Sequence, residues 1–144
     1  MSEPPARVLG VDLGTRRIGL ALSDPSGTIA SPHSVIERGR AHTDDHRAIL
    51  AVVRAEAVGT VVVGLPLSLS GGEGPAAVSA RAEIAELGAA LGEVDVVAYD
   101  ERLTTVTAEH TLREAGLGRA QRRAVVDKVA AAVMLQAFLD GRSS

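Results

Sequence analysis

Apolar residues dominate two short runs near the start of the chain, Val8–Leu13 (VLGVDL) and Ile18–Ser23 (IGLALS), separated only by Gly14, Thr15, Arg16 and Arg17. Two such runs so closely joined predict a β-hairpin. Asp24-Pro25-Ser26-Gly27 has turn chemistry, and Gly27–Val35 supplies a third strand after it. Asp44–Glu56 then changes period, with Ile49, Leu50, Val53 and Ala57 at helical spacing. Thr60–Leu65 (TVVVGL) is continuously apolar, as expected of a strand buried on both faces. The Gly- and Ser-rich stretch Pro66–Pro75 predicts a loop. Ala77–Leu91 is helical, with Ala80, Ile84, Leu87 and Leu91 on one face, and Val94–Tyr99 is a fifth strand. Thr104 or Thr105 can cap a short helix ending at Gly116. A last helix over Arg122–Leu139 repeats Val126, Val129, Val133 and Phe138 among alanines, and this stripe of valine and alanine reads as core.

The order βββαβαβαα implies an α/β fold with a five-stranded mixed sheet, in which three antiparallel strands are joined to parallel βαβ units and helices flank the sheet. With 144 residues, the chain suits a single domain over 1–144, with loose termini at 1–6 and 141–144. Tyr99 and Phe138 are the only aromatic residues, so the core must be aliphatic and recognition by aromatic base stacking is excluded. The absence of cysteine excludes disulfides, thiolate metal sites and a thiol nucleophile. The N-terminus does not read as a signal peptide and no apolar stretch reaches membrane-spanning length, so a cytoplasmic protein without a membrane partner is expected.

The formal net charge of −3 argues against a nucleic-acid partner until its distribution is considered. Between Arg113 and Lys128, the basic residues Arg113, Arg119, Arg122, Arg123 and Lys128 face only Glu114 and Asp127, a local net of +3. Such a segment suits a phosphate-binding patch and a solvated charged face equally well.

Three acidic positions stand out. Asp12 interrupts an apolar strand expected near the centre of the sheet, where a carboxylate is costly unless paired, protonated or metal-bound. Asp100 and Glu101 end another strand, and alternation sends their side chains to opposite faces, so only one can join Asp12 if the strand continues. Asp127 opens the last helix in an apolar context, with alanines behind it that permit close approach to the sheet. Singly, the last two positions also suit acids that complement a helix dipole. Together, three acids near the ends of separate elements can converge on one concave site. Their mutual repulsion is relieved by divalent cations, and oxygen-only ligands suit Mg²⁺ or Mn²⁺, two ions serving to activate water and stabilise a leaving oxygen.

The blocks GVDLGTRRIGLALSD, VVVGLPLSLSGGEG, DERLTT and VDKVAAAVMLQAFLD, in this order and spanning nearly the whole chain, resemble the YqgF (RuvX) family of ribonuclease H-like nucleases. The element order also matches that fold. The family is described as Holliday junction resolvases and as nucleases maturing the 5′ end of pre-16S ribosomal RNA. The resemblance implies that Asp12, Glu101 and Asp127 are the metal-binding, catalytic acids, and it chooses Glu101 where alternation left the choice open. Asp100 is then expected to fix the Arg102 region or a nearby backbone amide. The expected partner is structured precursor rRNA or branched DNA, and the sequence leaves monomer and homodimer equally open.

Arg16, Arg17, Arg102, Arg119, Arg122, Arg123 and Lys128 are the candidate nucleic-acid contacts, although Arg16 and Arg17 equally suit an ordinary hairpin. The Leu65–Gly74 loop could offer amides to a phosphate or merely connect. Thr104 and Thr105 read as caps, Asp24 as a turn residue, and His33, His42, His46 and His110 as surface positions without metal-ligand spacing. Asp-Leu-Gly-Thr also resembles the phosphate loop of sugar kinases and actin-like ATPases, but a phosphotransferase of that kind needs a second, similar domain. A non-catalytic nucleic-acid-binding module is a third reading, and the three acids argue against it.

Overall fold

The computed structural model describes residues 6–66, 74–100 and 119–142, the last stretch with side chains from Lys128 onward. The expected hairpin forms from β1 (Arg7–Leu13) and β2 (Arg17–Ser23), antiparallel, with Leu13 opposite Ile18. β3 (Ala30–Glu37) continues antiparallel from β2. β4 (Val58–Leu65) and β5 (Asp95–Asp100) add in parallel on the other side of β1, giving the order β3-β2-β1-β4-β5. The mixed sheet is as anticipated, and β1, with its acidic interruption, is the central strand.

β3 begins at Ala30 rather than Gly27 because the intervening amides are already engaged. One oxygen of Asp24 accepts the N–H groups of Thr28 and Ile29 at 2.7 and 3.0 Å, and the other accepts the Ser26 hydroxyl at 2.6 Å. The Ile29 amide, then the Ser26 hydroxyl and the Thr28 amide, lower the Asp24 carboxyl from its ordinary 3.8 to about 2. Its stabilising effect is therefore complete above 3.8 and is lost as pH falls from there towards about 2. A carbon-detected NMR titration of Asp24 should show a midpoint at about 2. A midpoint at the ordinary carboxylate value would mean that this turn is open in solution.

The two faces of the sheet are covered by different helices. Ile49 and Val53 of α1 (His42–Ala55) and Leu87 and Leu91 of α2 (Pro75–Leu91) pack with Leu9, Val11, Ile18, Leu20, Val61 and Val63. On the opposite face, Ala131, Met134, Leu135 and Leu139 of α3 (Arg119–Arg142) meet Val8, Ala21 and Val62. The apolar run of β4 is thus explained residue by residue, since alternate valines serve opposite cores. Tyr99 and Phe138 meet edge to face at 5.9 Å and fasten β5 to α3.

α3 follows the expected stripe in its alanines, since Ala130, Ala131 and Ala132 are buried with Met134, Leu135 and Leu139, but departs from it in Val129 and Val133, which are only half-buried. The reason is close backbone approach: a Cβ on Gly10 would stand 2.9 Å from the Leu135 Cβ and 3.1 Å from the Ala131 carbonyl oxygen. Small residues at the crossing set the rotation of the helix, ahead of the bulk of its valines. α3 also starts earlier than Arg122 and runs to Arg142, through part of the terminus expected to be loose, where the Arg142 guanidinium stands 5.6 Å over the Phe138 ring. The predicted helix ending at Gly116 and residues 67–73 of the Pro66–Pro75 loop lie outside the described residues. Among the described residues, no helix is long and apolar enough to cross a membrane.

Candidate active site

Alternation along β1 fixes the direction of Asp12. Leu9, Val11 and Leu13 join the core beneath α1 and α2, while Val8 and Gly10 meet α3. Asp12 therefore lies on the α3 face, half-buried, at the C-terminal end of the central strand. Gly19 pairs with it on β2, and Gly64 on β4 is one residue beyond the Val11–Val63 pair. The positions level with this carboxylate on both neighbouring strands are therefore glycines.

The chain turns directly afterwards. The Gly14 N–H donates to the Asp12 carbonyl at 3.1 Å, and a Cβ on Gly14 would stand 2.5 Å from the Arg17 carbonyl oxygen. Any other residue would force this turn open.

The direction of α3 follows from its contacts. Ala131 and Leu135 cross β1 at Gly10. Further along, the Gln136 side chain accepts from the Ala30 N–H and donates to the Thr28 carbonyl, both at 2.9 Å. The β2–β3 turn lies beside the N-terminal end of β1, where Leu9 pairs with Leu22. α3 thus runs antiparallel to β1, with its N-terminal half directed towards the C-terminal end of that strand. Asp127 does not open this helix as expected but lies eight residues past Arg119, so the helix-dipole explanation for its charge fails. Its side chain lies outside the described residues.

Tyr99 packs towards α3, so Asp100, the last residue of β5, projects from the opposite face to Asp12. Glu101 and Arg102, and the side chains of Arg119, Arg122 and Arg123, lie outside the described residues. Arg17 shares the α3 face with Gly19 and Ala21, Arg16 is exposed in the turn, and Lys128 is half-buried. Among the described residues, no three His, Asp or Glu side chains come close enough to hold a metal ion.

A second constellation, to which spacing alone gave no role, lies on the α1/α2 side of the same turn. Asp45, His46 and Glu83 are only 2, 4 and 5% exposed. Arg38 donates from Nη1 and Nη2 to the two oxygens of Glu83 at 2.8 and 2.9 Å and from Nη1 to Asp45 at 3.1 Å. Its Nε donates to the Gly14 carbonyl at 2.8 Å. His46 bonds Glu83 through Nε2 at 2.9 Å, so its expected surface position is corrected: it lies one turn before Ile49 on the buried face of α1. Burial pushes the Glu83 carboxyl up, but hydrogen bonds from Arg38 and His46 and the Arg38 charge outweigh this and hold it below its ordinary value. A signal was present in the sequence, since Glu83 falls on the α2 face that carries Ala80 and Leu87.

The model of the RuvX family, described as Holliday junction resolvase, matches residues 6–141. A protein of Paramagnetospirillum magneticum is 48% identical over 137 residues, covering 95% of this chain and 87% of that protein. One of an Anaeromyxobacter species is 51% identical over 136 residues, covering 94% and 98% respectively. Both carry the name "Putative pre-16S rRNA nuclease". Among solved structures, T. thermophilus RuvC in complex with Holliday junction substrate superposes with a TM-score of 0.57 at 19% identity, over 96% of each chain. The yeast mitochondrial Holliday junction resolvase does so at 0.53 and 12% identity, over 99% of this chain and 81% of that one. At such identities the likeness is one of fold, a RuvC-like, ribonuclease H-like α/β architecture. The family match and the near-half identity over almost the whole length lead to one assignment: this chain belongs to the RuvX family.

Proposed function

We propose that this chain is a divalent-metal-dependent endonuclease that cleaves precursor 16S ribosomal RNA near its 5′ end, through a site composed of Asp12, Glu101 and Asp127. The observation that carries the reading is the antiparallel run of α3 over β1. From Gly10 to Asp12 a strand advances about 6.6 Å, and from Ala131 back to Asp127 a helix advances about 6 Å. These matching advances support a site in which the backbone at Asp127 comes level with Asp12. Asp100 faces away from Asp12, which favours Glu101 as the contributing member of that pair.

Donor chemistry fits the cation. Three carboxylates offer only hard oxygens, and Asp12 stands between two glycines at the C-terminal end of the central strand. Mg²⁺ or Mn²⁺, two ions in this reading, would supply positive charge for the phosphoryl oxygens and a water acidic enough to attack phosphorus. Asp12, fixed by the hairpin, and Asp127, fixed by α3, hold that charge in place from rigid elements. Arg17 and Lys128 flank the same face and, with Arg16, Arg102, Arg119, Arg122 and Arg123, steer and orient the phosphate backbone. A ribosomal RNA precursor as substrate implies a cytoplasmic protein.

The names of the sequence relatives support cleavage over phosphotransfer or passive binding, and support RNA as the substrate. The description of the family and the RuvC complex favour a second substrate, the four-way DNA junction. Depletion of the protein should cause 16S precursors with extended 5′ ends to accumulate, and purified protein with Mg²⁺ should trim such precursors. Normal 5′ ends after depletion, together with junction cleavage in vitro, would assign the enzyme to DNA instead.

A further inference from the structure

We infer that Arg38 is a positioning residue for the active site: its guanidinium, clamped by the buried Asp45 and Glu83, fixes the β1–β2 turn that directly follows Asp12. The inference rests on the nuclease reading for its consequence but on the described geometry for its cause.

Arg38 touches the turn at two points. Its Nε donates to the Gly14 carbonyl at 2.8 Å, and its backbone N–H donates to the Arg16 carbonyl at 2.9 Å. The remainder of the guanidinium is held from below by Glu83 and Asp45, themselves among the most buried polar residues described. Asp45 also accepts the Gly39 N–H at 2.7 Å, which fixes the backbone following Arg38. A rigid path thus runs from α1 and α2, through one planar side chain, to the residue two positions beyond Asp12.

A buried ion cluster is a poor means of stabilising a core, because desolvation offsets most of the attraction. It is a good means of fixing geometry, since a guanidinium offers its donors in one plane at set angles. The turn it restrains cannot be braced by its own side chains: Gly14 has none, and Thr15 and Arg16 are exposed. Partners outside the first ligand shell commonly set the orientation of a metal-binding group.

The test compares wild type, Arg38→Lys and Leu91→Ala. Lysine keeps the charge but cannot reach both carboxylates and the Gly14 carbonyl together. Leu91 is a buried core residue at the far end of α2 and serves as a control for lost stability. In Arg38→Lys, amide exchange at Gly14–Arg17 should quicken beyond that in Leu91→Ala at matched loss of Tm. Mn²⁺ affinity by calorimetry should fall about tenfold or more, the range seen when outer partners of metal ligands are removed. The Mg²⁺ concentration for half-maximal cleavage should rise in proportion, with KM for the nucleic acid unchanged.

Unchanged exchange at Gly14–Arg17 in Arg38→Lys, or an equal loss of Mn²⁺ affinity in Leu91→Ala, would overturn the inference while wild type remains active. A wild type that binds no Mn²⁺ and cleaves nothing would instead overturn the nuclease reading, and the link from turn to metal with it.

Discussion

Asp12→Asn is expected to reduce Mg²⁺-dependent cleavage by on the order of 10²–10³-fold, the usual loss when one preorganised electrostatic group is removed from a reacting centre. The substitution is nearly isosteric, so the protein should keep its cooperative unfolding and its sheet. What disappears is a negative charge at the C-terminal end of the central strand, where a divalent cation needs an anionic oxygen ligand. An amide oxygen there cannot neutralise the cation, and the affinity for Mn²⁺ should fall with the rate. Single-turnover cleavage at saturating protein separates this loss from weaker substrate binding. Wild-type rates in a preparation free of contaminating nuclease would remove Asp12 from the mechanism, and the family reading of the other two acids would lose its anchor.

Gly10→Val should be the most damaging substitution in the core. The first carbon alone would stand 2.9 Å from the Leu135 Cβ, and the two methyls of valine have no room beyond it. Overpacking of this kind costs about 3 kcal/mol. For a domain of this size that corresponds to a fall in Tm of roughly 10 °C, measurable by calorimetry. The consequence for activity is separate from the one for stability. α3 relieves the clash by moving away from β1, and in the proposed site Asp127 moves with it. A displacement of about 1 Å in a reacting constellation can cost about 10²-fold in rate. Gly10→Ala, which adds the first carbon only, should therefore lose activity out of proportion to its smaller loss of Tm. An unchanged Tm in Gly10→Val would show that α3 does not rest on β1 in solution.

The two substitutions separate what patterning could reveal from what it could not. Asp12 was conspicuous because it breaks an apolar run, and a break in a regular pattern is visible in one dimension. Arg38 was not, because nothing around it in the chain shows that α1 and α2 bring Asp45 and Glu83 beneath it from 7 and 45 residues away. His46 was misplaced for the same reason: its burial depends on Glu83, a partner on another helix. The alanines of the α3 stripe are core as periodicity indicates, but that Val129 and Val133 stay half-buried follows only from the close crossing at Gly10.

The strands, their mixed antiparallel and parallel pairing, and the three helices among the described residues follow from periodicity and turn chemistry, because local backbone preference and apolar spacing act between near neighbours. Residue types alone also pointed the chemistry to oxygen ligands and hard cations, since the chain has no cysteine and the acids that interrupt its pattern are carboxylates. Only the folded chain decided which face of the sheet Asp12 occupies, that Asp100 turns away from it, and that α3 descends towards it. Those facts depend on how separate elements pack, and packing is set by contacts between residues that the sequence holds far apart.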